Sequence, residues 1–155
     1  MKPNQKKTLS GTDAFKMLGG LQGVRTLADN FYDIMTSLPE AQKIRDMHPA
    51  DLATTRENFT LFVCGWLGGP PLYKEKHGPI DLTKLHALLD INEAERDMWL
   101  SCMERALNQL EIPEEGKQYL LERFRQPAGK ICNWCQKQFL QSPGAGSLRN
   151  TIKKQ

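Results

Sequence analysis

Gly65 to Trp99 reads GWLGGPPLYKEKHGPIDLTKLHALLDINEAERDMW, and its punctuation decides the fold. Gly68-Gly69-Pro70-Pro71 stops whatever helix carries Trp66, because glycine relaxes the backbone and proline removes a donor. Gly78-Pro79 closes an irregular loop. Asp81 then stands where it can cap a short apolar segment holding Leu82, Leu85, His86, Leu88 and Leu89. Asn92 with Glu95 three residues later has the form of a capping box, so a helix opens there and carries Trp99.

Working outward, the same helical spacing recurs on both sides. Downstream, Met98, Trp99, Cys102, Ala106 and Leu110 share one side of that helix. Ile112-Pro113 starts a last helical region with Tyr119, Leu120 and Phe124. Pro127 and Gly129 are expected to kink or interrupt it before a second piece with Ile131, Trp134 and Phe139. Upstream, Asp51 can cap a helix in which Leu52, Phe59, Phe62, Val63 and Trp66 form an aromatic face. Glu40 to Met47 forms one or two turns before the bend at His48-Pro49. Val24, Leu27, Ala28, Phe31, Ile34 and Met35 make a three-and-four stripe, with Tyr32 at its edge. Ser10 or Thr12 can cap a short first helix that Gly19-Gly20 ends. No alternating strand pattern and no internal repeat appears. The expectation is an all-α domain of six to seven helices, with long connections near 39–50 and 68–81 that wrap something.

At 155 residues the chain makes one domain with a real core. The expected division is a flexible arm over 1–10, a helical domain over 11–140 and a tail over 141–155, whose SPGAGSLRNTIKKQ composition lacks periodicity. The formal charge of +3 is small, with basic residues concentrated at Lys2–Lys7 and Arg149–Lys154. Solvated basic ends explain this better than a nucleic-acid partner. No apolar run reaches a membrane span and MKPNQKK lacks a signal peptide's apolar core, so a cytoplasmic protein is expected. Four cysteines in a reducing compartment suggest no disulfide framework.

Among titratable residues His86 stands out, an imidazole among leucines between two breakers. One ring nitrogen can bond a backbone carbonyl while the other meets a metal, yet a hydrogen-bonded core histidine satisfies the same pattern. His48 and His77 lack the spacing of a protein-only zinc site. Cys132-Asn133-Trp134-Cys135 is a C-x-x-C without the βαβ context of a thioredoxin-like motif: a reversible pair one helical turn apart, or two buried idle thiols. Glu93, Glu95 and Asp97 read as a solvated helix face. No Ser/His/Asp set, phosphate loop or dinucleotide fingerprint occurs.

Taken together, Gly19-Gly20, GVRTLADNFYDIM (23–35), MHPADL (47–52), GWLGGPPLY (65–73), His86 and ERDMWLSCM (95–103) resemble, over roughly Ala14 to Leu110, the truncated (two-on-two) haemoglobins of group II, the O-type. The resemblance implies a globin-like two-on-two sandwich with a short first helix, a short helix carrying the proximal histidine, and a C-terminal helical extension. It implies haem b with His86 as proximal iron ligand, Leu82, Leu85 and Ile91 packing beside it, and Tyr73 and Lys76 toward the propionates. It implies a distal pocket of Tyr32, His48 and Trp99, with Phe31, Thr55, Phe59 and Phe62 around it. The implied ligands are O2, CO, NO or peroxide, with slow O2 release through Tyr32 and Trp99. That behaviour leans to sensing or detoxification, including NO dioxygenase or peroxidase-like chemistry with an unidentified reductase, in a monomer or homodimer.

Two positions depart from the family pattern. LTKLHALLD lacks its arginine-rich, proline-containing run, and Asn58 stands where a basic residue is common. They motivate the alternatives of a haem-free globin-scaffold interaction module or a thiol-redox protein using Cys132 and Cys135.

Overall fold

A computed structural model describes residues 11–86 and 89–141 of the chain. The expectations at Ser10, at Leu88, for the Phe139 side chain and for the arm and tail lie outside the described residues. The elements are α1 (Gly11–Leu18), α2 (Gly20–Ser37), a 3₁₀ turn (Pro39–Ala41), α3 (Gln42–Arg45), α4 (Ala53–Trp66), α5 (Leu72–His77), α6 (Leu82–Leu85), α7 (Glu93–Asn108) and α8 (Glu114–Gln141). Among the described residues there is no strand.

Two helix pairs make the sandwich. α2 packs on α4, α7 packs on α8, and α2 also crosses α7, which joins the pairs. Of the stripe expected on α2, Val24, Leu27, Ala28, Phe31 and Met35 are buried, with Tyr32 beside them, while Ile34 is only half-buried at its edge. Residues i, i+3, i+4 and i+7 fall on one helix face, so a single amphipathic helix can fill the centre. The junction between α1 and α2 is made at Gly19 and Gly20, whose φ of +95° and +70° belong to the left-handed region that a side chain disfavours.

Three local expectations are corrected. The loop after Pro70-Pro71 is not wholly irregular, since Leu72–His77 closes one and a half turns of helix, α5, directly after the break. The prolines act as starters, because a helix's first residues need no donor. Pro127 does not divide the last helix, for α8 runs 28 residues with Pro127 inside it. Packing against α7 and α6 outweighs the one missing hydrogen bond. Finally, α4 has two apolar faces rather than one. Thr60, Leu61, Val63 and Cys64 are buried in the core, whereas Phe59, Phe62 and Trp66 turn to a cavity.

The capping box at the start of α7 is complete. The Asn92 side chain accepts from the Ala94 amide at 3.2 Å, and Glu95 accepts from the Asn92 amide at 2.9 Å. Asp51 takes the Ala53 amide at 2.9 Å, one residue outside the helix it was expected to start. Both caps satisfy donors that a helix start otherwise leaves to water.

Candidate functional site

α2, α3, α4, α6, α7 and α8 enclose a cavity of about 440 Å³. That lies within the range of small-molecule and cofactor pockets. Its aromatic wall begins with Tyr32 from α2 and Phe59 from α4, whose ring centroids are 5.8 Å apart and nearly perpendicular. Trp99 from α7 meets Phe59 at 6.4 Å, and Phe124 from α8 lies 5.7 Å from Trp99. Phe62, Trp66 and Tyr73 continue the wall toward α5. Edge-to-face contacts of this kind hold rings in fixed orientations, so the cavity keeps its shape.

His86 also lines the cavity. It follows α6 directly, and its Nδ1 lies 2.6 Å from the Leu82 carbonyl oxygen. A carbonyl only accepts, so Nδ1 carries the proton and donates it. In the neutral ring Nε2 then keeps its lone pair for a metal, which is how second-shell bonds set the tautomer of a ligating imidazole.

His48 is arranged in the same way. Its Nδ1 donates to the Ile44 carbonyl at 2.8 Å, and its ring stands edge-on to Tyr32 at 5.7 Å. Burial lowers its pKa below the ordinary imidazole value, and the charges of Arg45 and His86 push the same way against the Ile44 bond. Its neutral form therefore presents an acceptor at Nε2, while Tyr32 and Trp99 carry the donors.

Tyr32 is 4% exposed, and burial raises its phenol well above the ordinary value, so it remains a protonated donor. Arg56 lies over its ring at 5.9 Å, held by Asp29 and Asp33 of α2, and moderates that rise.

Most of the expected site residues meet at this one cavity: Tyr32, His48, Thr55, Phe59, Phe62, Tyr73, Leu82, Leu85, His86, Ile91 and Trp99. Phe31 stands behind the wall, fully buried, with its ring 4.9 Å from both Tyr32 and Trp99. It supports the donors rather than touching the space. Lys76 is exposed on α5 and absent from the lining. Leu85 lines the cavity although 63% of it is exposed, an apolar edge that none of the described residues covers.

Sequence reasoning missed the contribution of α8, where Phe124, Pro127, Ala128 and Ile131 line the cavity, and that of Arg96. The spacing of the α8 residues was a readable signal. Arg96, in ERDMW, is the basic side chain in the lining, at the start of α7.

One further reading changes. Glu95 is not part of a solvated face like Glu93 and Asp97, because it is 6% exposed and, with buried Asp90, accepts an ion pair from Lys43 of α3. Cys132 and Cys135 are buried free thiols. Burial raises both, Cys135 to about 11, which leaves little of the thiolate that disulfide exchange needs. Among the described residues no group of three His, Cys, Asp or Glu side chains could hold a metal ion.

Paired helices close around an aromatic cavity lined by two imidazoles, His48 and His86, each holding its Nδ1 against a backbone carbonyl: a helical domain built around an internal pocket. The model of the family described as bacterial-like globin matches residues 13–133, and this chain belongs to that family.

Group 2 truncated hemoglobin YjbI of Bacillus subtilis (strain 168) is 34% identical over 107 residues, 69% of this chain and 79% of that protein. The cold-adapted truncated hemoglobin of the Antarctic marine bacterium Pseudoalteromonas haloplanktis TAC125 superposes with a TM-score of 0.75 at 37% identity, covering 77% of this chain and 97% of its own. The group II 2-on-2 hemoglobin of Agrobacterium tumefaciens does so with a TM-score of 0.73 at 35% identity, covering 82% and 96%. The all-helical two-on-two globin fold and haem-based gas binding follow from this membership. The residues present fit the group: a tautomer-fixed imidazole, an aromatic cavity of about 440 Å³, an apolar edge at Leu85 and an arginine within the lining.

Proposed function

We propose that this chain holds haem b through His86 and uses Tyr32 and Trp99 to retain a diatomic ligand, O2 first, with CO and NO as alternatives. When bound, haem would supply an iron able to take up such a ligand. The observation that carries the reading is the 2.6 Å bond from His86 Nδ1 to the Leu82 carbonyl, which leaves Nε2 as the ligating nitrogen in a cavity walled by Tyr32 and Trp99.

The chain's own groups divide the work. The phenol of Tyr32 and the indole N–H of Trp99 donate toward a ligand that gathers negative charge, and edge-on contacts with His48 and Phe59 hold the Tyr32 ring. Donors aimed at developing charge in a water-poor cavity act more strongly than the same groups in water. Arg96, Tyr73 and Asn58 line the cavity and offer polar groups to the carboxylate edge of such a prosthetic group. Strong retention suits sensing or the detoxification of NO or peroxide better than bulk delivery, and turnover requires an external electron donor.

The test is the absorption spectrum of the purified chain loaded with haem, reduced, and exposed to CO, beside His86→Ala. A strong Soret band that shifts with CO and loses its histidine-ligated character in the variant is expected. If no stoichiometric haem binds, or the variant keeps the wild-type spectrum, the assignment of His86 fails.

A further inference from the structure

The C-x-x-C near the end of α8 has no role in ligand binding as described, and the family match stops at residue 133, short of its second cysteine. Its position is informative. Phe124, Ala128 and Ile131 of α8 lie at i, i+4 and i+7, and all three line the cavity together with Pro127. The next place in that register is Cys135. Its side chain reaches past the cavity floor to the backbone of the iron-ligand segment, where Sγ donates to the carbonyl oxygen of His86 at 3.2 Å. That carbonyl also accepts from the Leu89 amide at 3.1 Å, so both of its lone pairs are engaged.

The segment needs such a hold. α6 has four residues, too few to persist through its own hydrogen bonds. α8 is the element it packs against, and α6 ends at Leu85, one residue before His86. A histidine placed at the end of so short a helix points its ring only as well as its backbone is fixed from outside.

Resting on the reading of His86 as iron ligand, we infer that Cys135 is a positioning residue, the buried thiol through which α8 fixes the His86 backbone and with it the orientation of the imidazole. The C-x-x-C is thus a structural device of the proximal side. Cys132, buried one turn earlier, fills the α8 core without this contact.

The test uses the full chain as wild type, Cys135→Ala, Cys135→Ser and Cys132→Ala, with two readouts. The first is amide hydrogen exchange at Leu85, His86 and Leu89 in the haem-free protein. Loss of one neutral hydrogen bond should speed it about threefold to tenfold in Cys135→Ala. The second is the iron–histidine stretching band of the reduced haem-loaded protein by resonance Raman, which should shift and broaden in the same variant. Cys135→Ser, which keeps a donor, should return both readouts toward wild type, and Cys132→Ala should leave both unchanged. If Cys135→Ala does not fold, Cys135→Val keeps the volume without a donor and takes its place. Unchanged exchange and an unchanged band overturn the inference alone. A wild-type protein that loads haem without an iron–histidine band overturns the assignment of His86 itself, and the positioning role with it.

Discussion

At the residue scale the cavity separates donors from acceptors. Tyr32 stays protonated because burial disfavours the phenolate, and the Trp99 indole can only donate. Hydrogen bonds to a charged acceptor contribute about 1.5–3 kcal/mol each. Tyr32→Phe combined with Trp99→Phe should therefore speed O2 dissociation at least about tenfold in stopped-flow measurements. An unchanged rate would remove both from the donor role.

His48 carries a pH dependence of opposite chemistry. Its folded pKa lies below the unfolded value of about 6.5, chiefly through burial, so on acidification the unfolded chain takes up the proton first. Its contribution to stability is intact above about pH 6.5 and is lost as the pH falls from there toward the lower folded value. His48→Phe should flatten the fall in melting temperature between pH 7.5 and 5.5 in the haem-free protein. Parallel curves for the two proteins would show that His48 is not the group responsible.

At the element scale the short pieces are held by longer ones. α3 has four residues, yet it spans two sides of the cavity. Ile44 holds His48 through its carbonyl, and Lys43 pairs with Asp90 and Glu95 at the start of α7. The two carboxylates are 5% and 6% exposed while Lys43 is 41% exposed, so the pair is neither a free surface bridge nor a fully buried one. Removing the lysine leaves two negative charges close together in the protein. Lys43→Met should cost about 2 kcal/mol in urea unfolding, between the surface and buried limits, with Lys43→Arg recovering most of it. A loss below about 0.5 kcal/mol would place the pair among ordinary surface bridges.

The same scale explains where sequence reading stopped. The Asn92–Glu95 capping box was legible because it is local, and the end of α4 was legible because Gly68-Gly69-Pro70-Pro71 cannot continue a helix. That α5 starts just beyond those prolines, or that α8 passes through Pro127, depends on what each helix leans against. A propensity of about 3 kcal/mol against interior proline is large for an isolated helix and modest beside the burial of a long apolar face.

At the scale of the whole molecule, the amino-acid sequence by itself determined the all-α class, the central stripe of α2 from Val24 to Met35, the glycine junction before it, and the prominence of His86, Tyr32 and Trp99. The class, the stripe, the junction and His86 rest on residue type and spacing within one or two turns, whereas Tyr32 and Trp99 stood out through the family resemblance of the motifs around them. Only the tertiary structure decided that Glu95 is buried beneath Lys43, that the aromatic side of α4 faces a cavity instead of the core, that Lys76 stands away from it, and that Cys135 meets the His86 carbonyl across 49 residues of chain. Those outcomes depend on which faces of separate helices come together. An apolar face has the same pattern whether it meets another helix or a cofactor, and a buried carboxylate is spelled like an exposed one.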